Sequence, residues 1–295
     1  MPILACSPAR RILALDSPPS FFRDPGYTRI VTRLGDSSSL NPEEVLLFAA
    51  DAARVMLESG GETYRSEETA VVVAGALGGV EAECYATPTG VTLSFVGGDG
   101  RVHSIVRRIK RRAMHLERVA LVEGIARSLV AGSMDFGAAS DELGRVEALR
   151  GRGVAVSSAA AAAGAGCFTV LFGGAWNDAL VAAVAGALVS RLPPAMARKQ
   201  LPDFFANLVA GAAATLLCLG ARRLGLATGA DATVIGVLML LVPGIAITNA
   251  IRDTIAGDLV AGVARGADAF ISAAGISVGA GAAYQAWRLL GGGLF

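Results

Sequence analysis

Residues 154–295 hold only 8 of the chain's 26 Lys and Arg and 6 of its 25 Asp and Glu. A stretch this long and this poor in charge cannot form the solvated shell of an ordinary water-soluble domain. It divides into apolar segments at 154–174, 178–192, 204–222, 231–251 and 259–290, each a candidate for crossing a hydrocarbon layer about 30 Å thick. The second is short for that thickness, and the fifth carries Arg265 and Asp268 early, so its buried part is placed at 268–288. The fourth is interrupted by Leu241-Val242-Pro243-Gly244-Ile245 and followed by Thr248, Asn249, Arg252, Asp253 and Asp258. A helix in lipid tolerates a Pro-Gly pair only where the freed backbone groups meet protein, water or a bound solute. Polar and charged side chains beside such a break point to a transport path.

The chain before residue 154 has a different chemistry, with most of the charges and the pattern of a small α/β domain. Asn41-Pro42-Glu43-Glu44 is a helix start, with a capping Asn, Pro at the first helical position and acids in the first turn. Gly60-Gly61 ends that helix, and a second is expected from Thr63 to Leu77. Three strands are predicted at Val80–Ala86, Val91–Val96 and Arg101–Arg107, joined by turns at 87–90 and 97–100. Two amphipathic helices follow, at about 114–132 and 135–150. The expected fold class is a membrane α-helical bundle of about five transmembrane helices, preceded by a small cytoplasmic α/β domain with a short antiparallel three-stranded sheet. The boundaries are a disordered tail at 1–40, the α/β domain at 41–153 and the transmembrane domain at 154–295.

Met1–Pro25 mixes charges with prolines and has no apolar core of a secretory signal. The domain ahead of the first span is therefore expected to stay in the cytoplasm, with the spans in a bacterial-type inner membrane. Basic residues agree: Arg107 to Arg112 and Arg145 to Arg152 precede the first span, Arg191, Arg198 and Lys199 follow the second, and Arg252 and Arg265 lie between the fourth and fifth. Arg222-Arg223 falls on the opposite side. The run at 107–112 is better suited to anionic lipid or to setting topology than to nucleic acid.

The candidate substrate-binding residues are Pro243, Gly244, Thr248, Asn249, Arg252 and Asp253. Proline removes a backbone donor, and the loosened turn can offer carbonyls and amides to a carboxylate or ammonium group. Asn249 and Asp253, four apart, share a helix face. Arg252 can hold a carboxylate bidentately. The plainer alternative is a structural kink beside a solvated helix end. Asp258, Arg265 and Asp268 are candidates for gating or ion coupling if buried, and simple interfacial charges if not. Asn177-Asp178 at a span edge fits a helix cap. Arg65 and Glu68 fit an ordinary surface pair.

Enzyme chemistry finds little support. His103 and His115 lack partners at metal or triad spacing, and no phosphate-binding loop is present. No cofactor is expected. The cysteines at 6, 84, 167 and 218 read as reduced thiols. Gly275-Ile276-Ser277-Val278-Gly279 matches a hydrolase string, but inside a span it reads as a G-x-x-x-G packing face.

Leu241 to Arg265, with its Pro-Gly, Thr-Asn, Arg-Asp and Gly-Asp pairs, resembles the threonine/serine exporter family. So do Ser59-Gly60-Gly61-Glu62-Thr63-Tyr64-Arg65-Ser66-Glu67-Glu68, Val106-Arg107-Arg108-Ile109 and Gly173-Gly174-Ala175-Trp176-Asn177-Asp178. The resemblance runs in order from about 40 to 290. It implies a cytoplasmic domain fused to about five spans and export of small polar metabolites, hydroxy amino acids in some members and dicarboxylates such as succinate in others. Long members carry a second membrane module, whereas this chain ends at Phe295. The resemblance thus implies the larger subunit of a two-component exporter, with a small all-membrane partner, a homo-oligomer, or both. A second reading is a membrane-anchored sensory or scaffold protein whose soluble domain does the binding.

Overall fold

The computed structural model describes residues 40–110, 112–199 and 201–291. The tail expected at 1–40 lies, except for Leu40, outside the described residues, as does Cys6. The chain forms two compact units. The first takes the residues up to Leu149 and also Asp253–Ala261; the second takes Arg150–Arg252 and Gly262–Phe295.

In the first unit, α1 spans Pro42–Glu58 and starts as its sequence dictates, with Asn41 Oδ1 accepting the Glu43 N–H at 3.0 Å. Its buried face carries Val45, Leu46, Ala49, Ala53 and Met56. Gly60, at φ 86°, turns the chain, and an added Cβ there would sit 2.6 Å from Met114 Sδ. Helix α2 (Thr63–Ala76) leads to an antiparallel sheet of β1 (Val80–Thr87), β2 (Gly90–Val96) and β3 (Val102–Arg108), in that spatial order. Leu93 lies opposite Cys84 and Ile105, and with Val91 and Phe95 it faces the core. The register of β1 shifts between Val80 and Glu83, where Glu81 adopts φ 52°.

Helices α3 (Leu116–Val130) and α4 (Phe136–Ala148) complete the first unit. Asp135 caps α4 by accepting the Ala138 N–H at 2.7 Å. Arg54 ties α1 to α4, reaching Asp51 at 3.0 Å, Glu58 at 3.0 Å and Glu147 at 2.8 Å. Arg107 adds β3 to this network through Asp51 at 3.1 Å. Arg65 pairs with Glu62 and Glu123, not with Glu68 as the spacing suggested, because α3 brings Glu123 to it from across the unit.

The second unit contains α5 (Val154–Leu171), α6 (Trp176–Val189), the short α7 (Leu192–Arg198), α8 (Asp203–Arg223), α9 (Ala230–Leu238), α10 (Gly244–Ala256) as far as Arg252, and α11 (Leu259–Leu289) from Gly262. Four apolar stretches among the described residues are long enough to cross a bilayer: Val154–Leu171, Trp176–Arg198, Asp203–Arg223 and Leu259–Leu289. The count of about five expected from the sequence thus meets four candidate spans among the described residues, the second of them running through α6 and α7. The fourth expected segment is divided between α9 and α10, and neither half has the roughly 20 residues that a span needs.

These helices are built inside out. Small residues are buried, among them Ala165, Ala182, Ala185, Ala210 and Ala214, while Leu171, Trp176, Leu180, Val184 and Phe270 face outward. Where water gives no drive to bury Leu, backbones approach through small residues and large apolar groups face the lipid. Gly211, Gly275 and Gly279 set the contact of α8 with α11. A Cβ on Gly211 would lie 2.5 Å from the Ile276 carbonyl oxygen, and one on Gly275 would lie 2.8 Å from that of Phe204. A Cβ on Gly279 would meet the Leu208 carbonyl oxygen and the backbone behind it. The G-x-x-x-G face is therefore a packing surface, and Ser277 lies mid-helix rather than at a strand-to-helix elbow.

Gly279→Ala is expected to lower stability by about 1–3 kcal/mol, because a backbone cannot yield as a side-chain tip can. Gly281→Ala, whose Cβ would meet nothing within 4 Å, is expected to be neutral or slightly stabilising. Thermal unfolding of both variants in the same detergent checks the contrast.

Candidate functional site

The break in the fourth apolar segment runs from Met239 to Pro243. Helix α9 closes with i to i+3 bonds, Leu240 N–H to Val237 O at 3.2 Å and Leu241 N–H to Leu238 O at 2.9 Å. Proline cannot continue the ladder. The Gly244 N–H turns back to Val242 O at 2.8 Å, and α10 begins with Ile247 N–H to Pro243 O at 3.0 Å. Thr248 Oγ1 donates to the Gly244 carbonyl at 3.0 Å, which saturates part of the first turn after the break.

The candidate residues divide by exposure. Gly244, Thr248 and Arg252 are exposed and Pro243 half-buried, while Asn249 is only 7 % exposed. Asn249 and Asp253 do share one face of α10, and it is the buried one. Arg265 is buried and Asp268, three residues on, is exposed. Asp258 is half-buried in the turn between α10 and α11.

Asp253 is fully buried, at 0 % exposure, and lies in the first unit. Its carboxylate meets the start of α2: the Thr63 N–H donates to Oδ1 at 3.3 Å and Thr63 Oγ1 donates to Oδ2 at 3.0 Å. Thr63 is itself fully buried. Glu62, which occupies the cap position of α2, makes no side-chain capping bond, so the carboxylate of Asp253 does that work from 190 positions away. Sequence reasoning singled out Asp253 but missed Thr63. The available signal was a helix beginning Glu62-Thr63, with a poor capping residue where Ser, Thr, Asn or Asp would be favoured.

Glu67, one turn further along α2, was also missed. It accepts the Ala86 N–H at 2.6 Å. Burial is the main cause pushing its carboxyl up to about 7; the Ala86 bond opposes this, and the Asp258 and Asp253 carboxylates add to it. Asp258 is raised too, by burial and by Asp253. Cys84 on β1 is pushed up to about 12 by burial and by Glu67, so it is an inert thiol.

Asp178 holds a comparable place in the second unit. At 1 % exposure it accepts the Ala175 N–H at 3.0 Å, the Thr228 N–H at 2.6 Å, the Thr228 hydroxyl at 3.0 Å and the Gly229 N–H at 3.0 Å. One carboxylate thereby caps α6 and anchors the turn that starts α9. This is the structural role its position at a span edge suggested. Among the described residues no group of three His, Cys, Asp or Glu is placed to hold a metal ion.

Long apolar helices with small residues between them and large ones outside define a multi-pass membrane protein. The family model described as "Putative threonine/serine exporter" matches residues 47–287. The chain belongs to the threonine/serine exporter family. It is 28% identical over 253 residues to a protein of Mycobacterium tuberculosis named "Probable threonine/serine exporter", an alignment covering 83% of this chain and 46% of that one. It is 26% identical over 261 residues to the "Threonine/serine exporter" of Corynebacterium glutamicum, covering 83% of this chain and 52% of that one. The chain thus spans about half the length of the curated relatives it matches. No solved structure matches it significantly.

Glu67 makes the first unit's stability depend on pH. Its folded value of about 7 lies above the roughly 4.3 of an unfolded Glu. Its contribution is therefore complete below about pH 4.3 and is lost as pH rises through 7. Glu67→Gln, which can still accept the Ala86 N–H, should flatten this dependence. It should be the more stable form at pH 8 by about 1–2 kcal/mol, a figure discounted for partial exposure. Exchange of the β2 amides at pH 5 and pH 8, corrected for intrinsic rates, measures the difference.

Proposed function

We propose that this chain is a secondary exporter of small polar metabolites, working by alternating access around the break at Met239–Pro243. The observation that carries the reading is this break in an apolar segment, with α10 presenting Thr248, Asn249 and Arg252 directly after it. Family membership supports export as the activity. Substrates of the chemistry suggested by the relatives' names, threonine and serine, carry a carboxylate, an ammonium and a hydroxyl. A dicarboxylate such as succinate would use the same carboxylate-binding chemistry.

In this reading α9 and α10 together form the fifth crossing, and the turn between them holds the solute. Pro243 and Gly244 open the backbone, Thr248 and Asn249 supply a hydroxyl and an amide, and Arg252 takes a carboxylate. A solute-binding role for Asp253 competes with its bonds to Thr63, so the five preceding residues are assigned to the solute. Arg265, a buried cation in an apolar helix, is assigned to gating with Asp258 and Asp268. The first unit faces the cytoplasm and the helices cross the inner membrane, an orientation supported by the basic residues before the first span. A small all-membrane partner, a homo-oligomer, or both are assigned to it in the membrane.

Efflux from vesicles loaded with labelled threonine, serine or succinate tests the reading, run with and without the small membrane partner. Asn249→Ala and Arg252→Ala should each lower efflux of the accepted solute at least tenfold while leaving membrane insertion intact. If no solute leaves with both chains folded in the membrane, or if both variants export like the parent, the sensory or scaffold reading takes its place.

A further inference from the structure

Asp253 is the unexpected residue of the candidate set. Five of the six residues expected to bind solute belong to the second unit, but the sixth, at the C-terminal end of the same helix, belongs to the first. It is held there by two donors of a single residue, the N–H and the hydroxyl of Thr63, both buried. Thr63 is the first residue of α2, so its N–H is one of the four that a helix leaves without an internal acceptor. A carboxylate at this position also meets the positive end of the helix dipole. Glu62, at the cap position, makes no side-chain capping bond.

We propose that Asp253 is a positioning residue: it caps α2 from a distance and so fastens the end of the broken helix to the first unit, coupling that unit to the opening and closing of the break. This rests on the exporter reading above and deepens it. The chain connectivity gives the capping bond its consequence. Asp253 lies within α10, next to Arg252, so a shift of α2 is carried along that helix towards Pro243. Residues 253–261 thereby act as a lever between the first unit and the helix that carries Thr248, Asn249 and Arg252. The first unit would then set how often the break rearranges, not how tightly it holds solute.

The test has two arms, both on the full chain in lipid vesicles with whatever partner supports efflux. The first is hydrogen exchange. Asp253→Ala should speed exchange of the amides at 63–66 at least tenfold and leave those of β2 unchanged. Thr63→Ser, which keeps both donors, should exchange like the parent. Unchanged exchange at 63–66 in Asp253→Ala would overturn the capping contact. The second arm is efflux kinetics. Thr63→Val and Asp253→Asn should each lower the maximal rate about tenfold with little change in the half-saturating concentration, and Thr63→Ser should restore the parent rate. A raised half-saturating concentration in Asp253→Asn, with Thr63→Val behaving as the parent, would mean that Asp253 binds the solute directly and would overturn the coupling role. If the parent chain moves no solute at all, the exporter reading and the coupling built on it both fall, while the exchange arm still decides the capping contact by itself.

Discussion

The structure depends on how buried helix ends are satisfied. Each helix begins with N–H groups that its own ladder cannot use, and burying them unpaired costs free energy comparable to a lost hydrogen bond. Two aspartates meet part of that demand, Asp178 in the first turn of its own helix and at a remote turn as well, Asp253 wholly from a distance. Asp178 takes four donors, from the start of α6 and from the Thr228-Gly229 turn before α9. Asp253 takes two from Thr63 at the start of α2. Removing Asp178 would take an acceptor from four donors and removing Asp253 from two, so these residues fix where the helices begin.

Small-residue packing is the complementary constraint. Caps position the ends, but what holds the middles together is close approach at Gly186, Gly211, Gly236, Gly275 and Gly279, where an added Cβ would lie under 3 Å from a neighbouring atom. Dispersion between backbones that nearly touch replaces the hydrophobic drive available in water. Contacts of this kind bury few polar groups and contain little side-chain volume, so they can slide or separate with less disruption than an interlocked Leu core.

Much of this was legible in the chain. Asn41-Pro42 starts α1 where the capping pattern put it, and the alternation of Val91, Leu93 and Phe95 gives the inward face of β2. The Pro-Gly pair divides the fourth apolar segment as its chemistry requires, so that segment is not among the four candidate spans of the described residues. Two things were hidden. The pairing of Arg65 with Glu123 depends on where α3 passes, which helix spacing alone does not reveal. The place of Asp253 in the first unit was hidden for the same reason: its partner lies 190 positions away, and no local periodicity records such a contact. What the sequence could offer was indirect, a helix opening at Glu62-Thr63 with no good capping side chain of its own.

The two aspartates also define what the break can do. Helix α9 is held at its start by the Asp178 turn, and along its length by Gly236, which lies close against Ala165 and Thr169. Helix α10 is held at its far end by Asp253. Between these two ends the segment is interrupted over the five residues from Met239 to Pro243. There the regular ladder is already lost, and Pro243 prevents its repair. Asn249 and Arg252 lie within three turns of that point. Had α9 and α10 been one continuous helix, any rearrangement there would require breaking helical hydrogen bonds in lipid, where nothing replaces them.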